Sequence, residues 1–382
     1  MSDGGTHVLI LGAGFGGLEL STRLSEEFGD DINVTLIDKS DAFVFGFTKL
    51  DVMFGHATLD DVRLHYSNIA KPGVHFVQAT IDSIDPDAKH VVTSAGEFDA
   101  DILVVALGAD LDPGATPGFV DGGYEFYSPE GAARVRDILP TFAGGNVVVA
   151  VLGGFFKCPP APYETVFMLH EYLTERGLRD RSTITLVTPM PKPVPISDEI
   201  SEAIVGQLEE RGIEYSHATW TTQVDATTKT IHLKDGRALP FDLLLGVPVH
   251  VAPPVVIASG LAEDDGWIAV DIKTFQTKYA DVYAVGDVAS VPVPRAGVIA
   301  EGEASTLADV LIDRLKGGAP INPFVGEIIC YVEMGDETVG KANVNFLSGP
   351  APSANYTFPS VAVANEKHSF AAKRRKRWFG LD

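Results

Sequence analysis

The sequence predicts an α/β protein made of two parallel-sheet units and a smaller C-terminal segment. Three observations predict it. Over residues 6–38 an apolar strand runs into a glycine turn, an amphipathic helix and a second strand closed by an acid. A strand–helix–strand order recurs across residues 145–187. From residue 321 onward that alternation gives way to apolar and small residues with a basic end. A length of 382 residues suffices for two or three domains with buried cores.

In the first unit HVLIL leads into Gly12-Ala13-Gly14-Phe15-Gly16-Gly17, then a helix, then NVTLID. Gly12, Gly14 and Gly17 satisfy G-x-G-x-x-G. That spacing allows a tight turn, close approach of backbone to a pyrophosphate, and close packing of helix on strand. Asp38 ends the second strand, where a carboxylate accepts ribose hydroxyls. This context makes the unit a Rossmann-like dinucleotide fold, without separating FAD from NAD.

Two later segments separate them by resemblance. DADILVVALGA (99–109) resembles the strand with which flavoprotein disulfide reductases leave their first FAD segment, and YADVYAVGDVAS (279–290) resembles their second FAD fingerprint. The resemblance implies FAD as the cofactor, Asp287 at its ribityl chain and Gly286 allowing the close approach. A helix from about Ala300 would then direct its positive N-terminal end at the flavin.

Between these segments NVVVAVL, a helix after Cys158 and STITLVTP form a second Rossmann-like unit. Its turn reads GGFFKCPP and its second strand ends in Thr188-Pro189, so both glycine fingerprint and acid are missing. Phe155 and Phe156 are expected to fill the pyrophosphate space, and prolines lack the N–H groups that bind phosphate. The unit reads as degenerate, with NADH not the reductant. The expected division is 1–115 with 245–320 for the discontinuous FAD-binding domain, 116–244 for the degenerate unit, and 321–382 as a cap.

Composition narrows the partners. A formal net charge of −23 repels phosphate and excludes nucleic acid as a natural partner. No apolar run approaches the roughly 20 residues of a membrane span. MSDGGTHVLI enters a strand directly, which predicts a cytoplasmic protein, peripheral at most on the inner face of the cell membrane. Cys158 and Cys330 are the only cysteines, too few for a disulfide framework. Read alone, they are inert buried hydrophobes. No metal site is expected.

KCPPAPYE changes that reading. It resembles the redox-cysteine segment of the sulfide-oxidising flavoproteins, the sulfide:quinone oxidoreductases and the flavoprotein subunit of flavocytochrome c sulfide dehydrogenase. GEIICYVEMGD places Cys330 in the corresponding C-terminal segment, and PRAGVIAEGEA and KRRKRWFG also look like this group. The resemblance implies a Cys158–Cys330 redox pair that oxidises sulfide, or a small persulfide or thiol, with a quinone as acceptor. Three departures stand out. GYEFYSPEGAARV lacks the third cysteine of many relatives, PMPKPVPIS lacks a histidine found in some, and the flavocytochrome partner works outside the cytoplasm.

The residues suggest how such a pair would work. Lys157 and the positive end of the following helix are expected to favour a Cys158 thiolate. Glu164 is a candidate proton shuttle, or an ordinary first-turn glutamate favouring the helix dipole. Five cations from Lys373 to Arg377, beside Trp378 and Phe379, suit either a membrane surface or docking on the acidic body. Phe346, Tyr356 and Phe358 are candidates for a quinone entry, or core residues. The alternatives are a type II NADH:quinone oxidoreductase, a sulfide dehydrogenase flavoprotein serving a cytochrome, and a flavin redox sensor without turnover. A homo-oligomer fits each of them.

Overall fold

Five parallel strands build the first unit in the computed structural model, which describes residues 5–381. Their order is Val282–Ala284, Ile102–Val105, His7–Leu11, Asn33–Asp38 and Val74–Gln78. His7–Leu11 lies at the centre and is buried from Val8 onward, which is why HVLIL and ILVV are continuous apolar runs. The reading of a leaderless start rests partly on residues 1–4, which lie outside the described residues.

The glycine turn is forced by contact distances. Gly12 has φ +103°, and a Cβ there would sit 2.3 Å from the carbonyl oxygen of Ala106. A Cβ on Gly17 would come 1.9 Å from the carbonyl oxygen of Gly12. The helix Phe15–Phe28 therefore packs closer to the sheet than a side chain would allow. Its neighbour is the helix Gly297–Lys316, fastened to it by Arg23, which reaches Ser305 at 2.6 Å and Asp309 at 2.5 Å.

The second unit repeats the pattern with Tyr124–Glu125, Leu243–Val247, Gly145–Val151, Ser182–Val187 and Glu214–Ser216, again all parallel. Leu243–Val247 runs through position 245, where the sequence analysis divides the units. The whole strand pairs with Gly145–Val151 in this second sheet, because its five residues are buried there. Asp110–Asp112 and Val249–Val251 pair antiparallel where the chain crosses between units.

The C-terminal segment is a three-stranded antiparallel sheet, Glu327–Glu333, Val339–Asn345 and Ser353–Ser360, followed by the helix Val361–Phe379. That helix corrects the membrane-surface reading of its aromatic tip. Trp378 is fully buried and Phe379 nearly so, packed in the same core as Val8, Leu36 and Val104. Of the basic run, Arg377 holds Glu19 at 2.9 Å and Glu26 at 2.6 Å, and Arg374 holds Glu301 at 2.8 Å. Trp378 Nε1 donates to Glu19 at 3.0 Å. Aromatic burial and acidic partners together dock this end on the protein body. Among the described residues no helix is long and apolar enough to cross a membrane.

Trp378→Ala is expected to lower the unfolding free energy by about 3–5 kcal/mol, measured by urea denaturation. A loss below about 1 kcal/mol would mean that the helix end does not contribute to the core.

Candidate active site

One cavity of about 310 Å³ opens where the two units and the C-terminal sheet meet. Gly14, Gly286 and Asp287 line it from the first unit, Cys158 and Glu164 from the second, and Cys330 from the third segment. The two cysteines, remote in the chain, thus share one space.

Cys158 stands on the loop before the helix Ala161–Glu175, whose N-cap is Pro160. Its backbone is left-handed at φ +54°, a conformation that costs a non-glycine residue on the order of 1–3 kcal/mol. Three hydrogen bonds hold it there. Its N–H donates to the carbonyl of Arg295 at 3.0 Å, and its own carbonyl accepts from Ala161 N–H at 3.1 Å and the Tyr127 hydroxyl at 3.3 Å. Cys330 is mid-strand in Glu327–Glu333, opposite Ala342. Both cysteines are half-buried free thiols.

The electrostatics correct one expectation. Burial pushes the Cys158 thiol up to about 12, with the Glu164 charge adding and Lys49 and Lys367 opposing. Burial also raises Cys330, and the charges of Cys158 and Glu164 raise it further. Neither thiol is a resting thiolate at neutral pH, because desolvation outweighs the nearby positive charges. Lys157 turns its Nζ to the Ala109 carbonyl at 3.4 Å, so the cations that favour thiolate are Lys49 and Lys367 instead.

Glu164 is 1% exposed, so it is no ordinary surface glutamate of a first helical turn. Burial pushes its carboxyl up to about 7, against Lys367 and the Glu333 N–H, which donates to it at 3.1 Å. Lys367, from the C-terminal helix, is itself buried and paired with Glu333.

The glycine and aspartate positions are also distinct. A Cβ on Gly14 would meet nothing within 4 Å, so open space lies over the turn. Asp38 accepts from Ala13 N–H at 2.9 Å and Ser40 N–H at 2.8 Å, closing the turn from the strand end. Gly286 has φ +81° and donates its N–H to the buried carboxyl of Glu303, whose Oε1 has no partner among the described residues. Burial raises the Asp287 carboxyl, against Lys157, Arg295 and Lys49. No donor among the described residues reaches its oxygens. An unsatisfied carboxylate beside open glycine backbone fits a hydroxyl-rich dinucleotide.

The aromatic positions divide. Phe156 is buried in the second unit's core, but Phe155 is 81% exposed and fills no space over the loop. Phe346, Tyr356 and Phe358 do not line the cavity. Its apolar wall includes Phe43, Phe47, Ile329, Tyr331 and Phe370 instead, while Tyr356 is core and Phe358 faces solvent. Sequence reasoning also missed Lys49, Tyr127, Arg295 and Lys367. A lone cation inside FVFGFTKLDVMF was a signal for Lys49; the other three join only through tertiary contact.

Comparison with known proteins identifies the family. The family model for pyridine nucleotide-disulphide oxidoreductases matches residues 6–304. Mouse mitochondrial sulfide:quinone oxidoreductase is 24% identical over 367 residues, covering 92% of this chain and 80% of the relative. A type II NADH:quinone oxidoreductase from Staphylococcus haemolyticus is 26% identical, covering 82% of this chain and 83% of the relative. The crystal structure of the Aquifex aeolicus sulfide:quinone oxidoreductase superimposes with a TM-score of 0.86 at 22% identity, over 99% of this chain and 93% of that one. The chain belongs to the pyridine nucleotide-disulphide oxidoreductase family and is an FAD-dependent oxidoreductase.

Glu164 supplies a pH prediction. Folded, it binds its proton more tightly than at the usual value of 4.5, so from pH 4.5 to about 7 the folded state carries more protons and stability falls as pH rises. Glu164→Gln removes that fall. The difference between variant and wild-type urea midpoints should widen across this interval and level off above it. A difference independent of pH would sink the assignment.

Proposed function

We propose that this member of the family oxidises sulfide to persulfide or polysulfide through the Cys158–Cys330 pair and delivers the electrons to a quinone. The observation that carries the reading is the shared cavity, where both cysteines meet the glycines and aspartate of the two dinucleotide segments. The quinone oxidoreductases among the relatives support the acceptor. In this reading Gly12, Gly14, Gly17 and Asp38 hold the diphosphate and ribose of FAD, and Gly286 and Asp287 hold its ribityl chain. FAD, when bound, takes up the electron pair released at sulfur and returns it to the acceptor.

The remaining chemistry belongs to the chain. Hydrosulfide attacks one sulfur of the oxidised Cys158–Cys330 bridge; the S–S bond breaks, leaving a persulfide on one cysteine and a thiolate on the other. Closing the persulfide's outer sulfur onto that thiolate forms a bridge one sulfur longer and releases two electrons and one proton. Glu164, with its carboxyl near 7, accepts the proton and exchanges it at neutral pH. Apolar walls from Phe43, Phe47 and Phe370 keep water from the sulfur chain.

A second reading, NADH:quinone oxidoreduction, draws on the staphylococcal relative. Against it stands the Gly153–Cys158 loop, which has neither the glycine fingerprint nor an acid closing the next strand. One experiment separates the two. The oxidised protein is mixed anaerobically with micromolar sulfide, and separately with NADH, while flavin absorbance is followed. Sulfide is expected to bleach the flavin, and Cys158→Ser to slow that step on the order of 10³-fold or more. Bleaching by NADH that ignores Cys158 would overturn the sulfur reading.

Asp287→Ala is expected to purify with markedly less flavin while remaining folded. The ratio of flavin to protein absorbance, alongside far-UV circular dichroism, reads this directly. Full flavin content would remove Asp287 from the cofactor site.

A further inference from the structure

Lys49 enters the cavity from the short helix Thr48–Met53, within a stretch whose neighbours Phe45, Phe47, Leu50 and Phe54 are apolar. Its Nζ donates to the carbonyl of Tyr127 and lies 5.8 Å from that residue's ring centre. The hydroxyl of Tyr127 in turn donates to the carbonyl of Cys158 at 3.3 Å. Tyr127 therefore ties the lysine and the cysteine into one cluster. A second face of that cluster is His250, whose ring meets Tyr127 edge-on at 5.6 Å.

An ammonium carries three donors, of which the Tyr127 carbonyl takes one. Among the described residues no carboxylate lies within ion-pair distance of Lys49. A half-buried cation without a counter-ion is costly, and desolvation accordingly pulls this ammonium down to about 8. The unused donors belong to a residue that lines the same cavity as both thiols.

We propose that Lys49 is a positioning residue for anionic sulfur, its ammonium serving as the counter-charge of the Cys158 thiolate and of the persulfide that forms there. The inference rests on the sulfur-relay reading above, but its test does not require turnover. Other charges act on the same groups. Glu164 opposes a Cys158 thiolate and Lys367 favours it from the C-terminal helix, while Cys330 stands across the cavity. Lys157 opposes the charge of Lys49, and Glu125 and Asp287 favour it. Lys49 is the stronger of the two cations acting on Cys158.

Cys330→Ser leaves Cys158 as the chain's only thiol, so alkylation then reads that sulfur alone. In this background the iodoacetamide rate is measured from about pH 6 to 10. Lys49→Met is expected to slow alkylation roughly tenfold at about pH 8 and to move the profile to higher pH. Lys49→Arg, which keeps the charge, is expected to restore the rate. An unchanged profile in a folded Lys49→Met protein overturns the proposal. Should that variant not fold, the Cys330→Ser protein itself is alkylated in parallel with iodoacetate and iodoacetamide. A cation at the thiol raises the iodoacetate-to-iodoacetamide ratio above that of free cysteine, and with Lys49 as that cation the ratio falls as pH rises through about 8; a ratio that is not raised, or that does not fall there, overturns the proposal. Failure of sulfide to bleach the flavin would remove the sulfur relay while leaving the difference in alkylation between the Lys49 variants intact, so the two failures are distinguishable.

Discussion

The hydrogen bond from the Cys158 N–H to the carbonyl of Arg295 joins the two units at the point where chemistry is expected. It holds a non-glycine residue in the left-handed region, which fixes where the sulfur stands. The same Arg295 donates its Nε to the carbonyl of Asp287 at 2.8 Å and stacks its guanidinium on Trp267. Gly286, one residue earlier, is pinned by the buried Glu303. The dinucleotide loop and the cysteine loop are thus tied to each other through Arg295, whose backbone carbonyl accepts from Cys158 and whose side chain donates to Asp287.

Around this backbone the protein places charges where water does not reach. Glu164, Lys367 and Glu333 are gathered from a helix of the second unit, the C-terminal helix and the C-terminal sheet. Desolvation dominates the protonation of Glu164 and Cys158, lifting carboxyl and thiol toward their neutral forms. Buried lysines counter it locally. A chain with a net charge of −23 therefore has cations at its centre, and spends much of its outer basic run on acidic partners such as Glu19, Glu26 and Glu301. The result is a site in which the Glu164 carboxyl is pushed up to about 7 and in which Lys49 is proposed to supply the counter-charge for sulfur.

Much of this was legible in the residues themselves. Gly12 and Gly17 are demanded by backbone contacts that a Cβ would violate, so a local motif carries the local structure. HVLIL and ILVV are apolar throughout because both faces of a parallel sheet are covered. Glu164 was also visible, since it closes KCPPAPYE and falls in the first turn of the helix that follows Cys158. Thiol acidity was not. Adjacent lysine and helix dipole are sequence features, whereas desolvation depends on what the C-terminal sheet covers. Phe155 and Phe156 show the same limit, being identical neighbours of which one is buried and one is not.

By itself the sequence determined the two dinucleotide-type units, the degenerate turn at Gly153–Cys158 and the pair of lone cysteines, because each is a short-range pattern of residue types. Only the tertiary structure decided that Cys158 and Cys330 share a cavity, that Lys49 reaches it, and that Trp378 is core rather than surface. The physical reason is the same in each case. These outcomes depend on contacts between segments far apart in the chain, and on the water those contacts exclude.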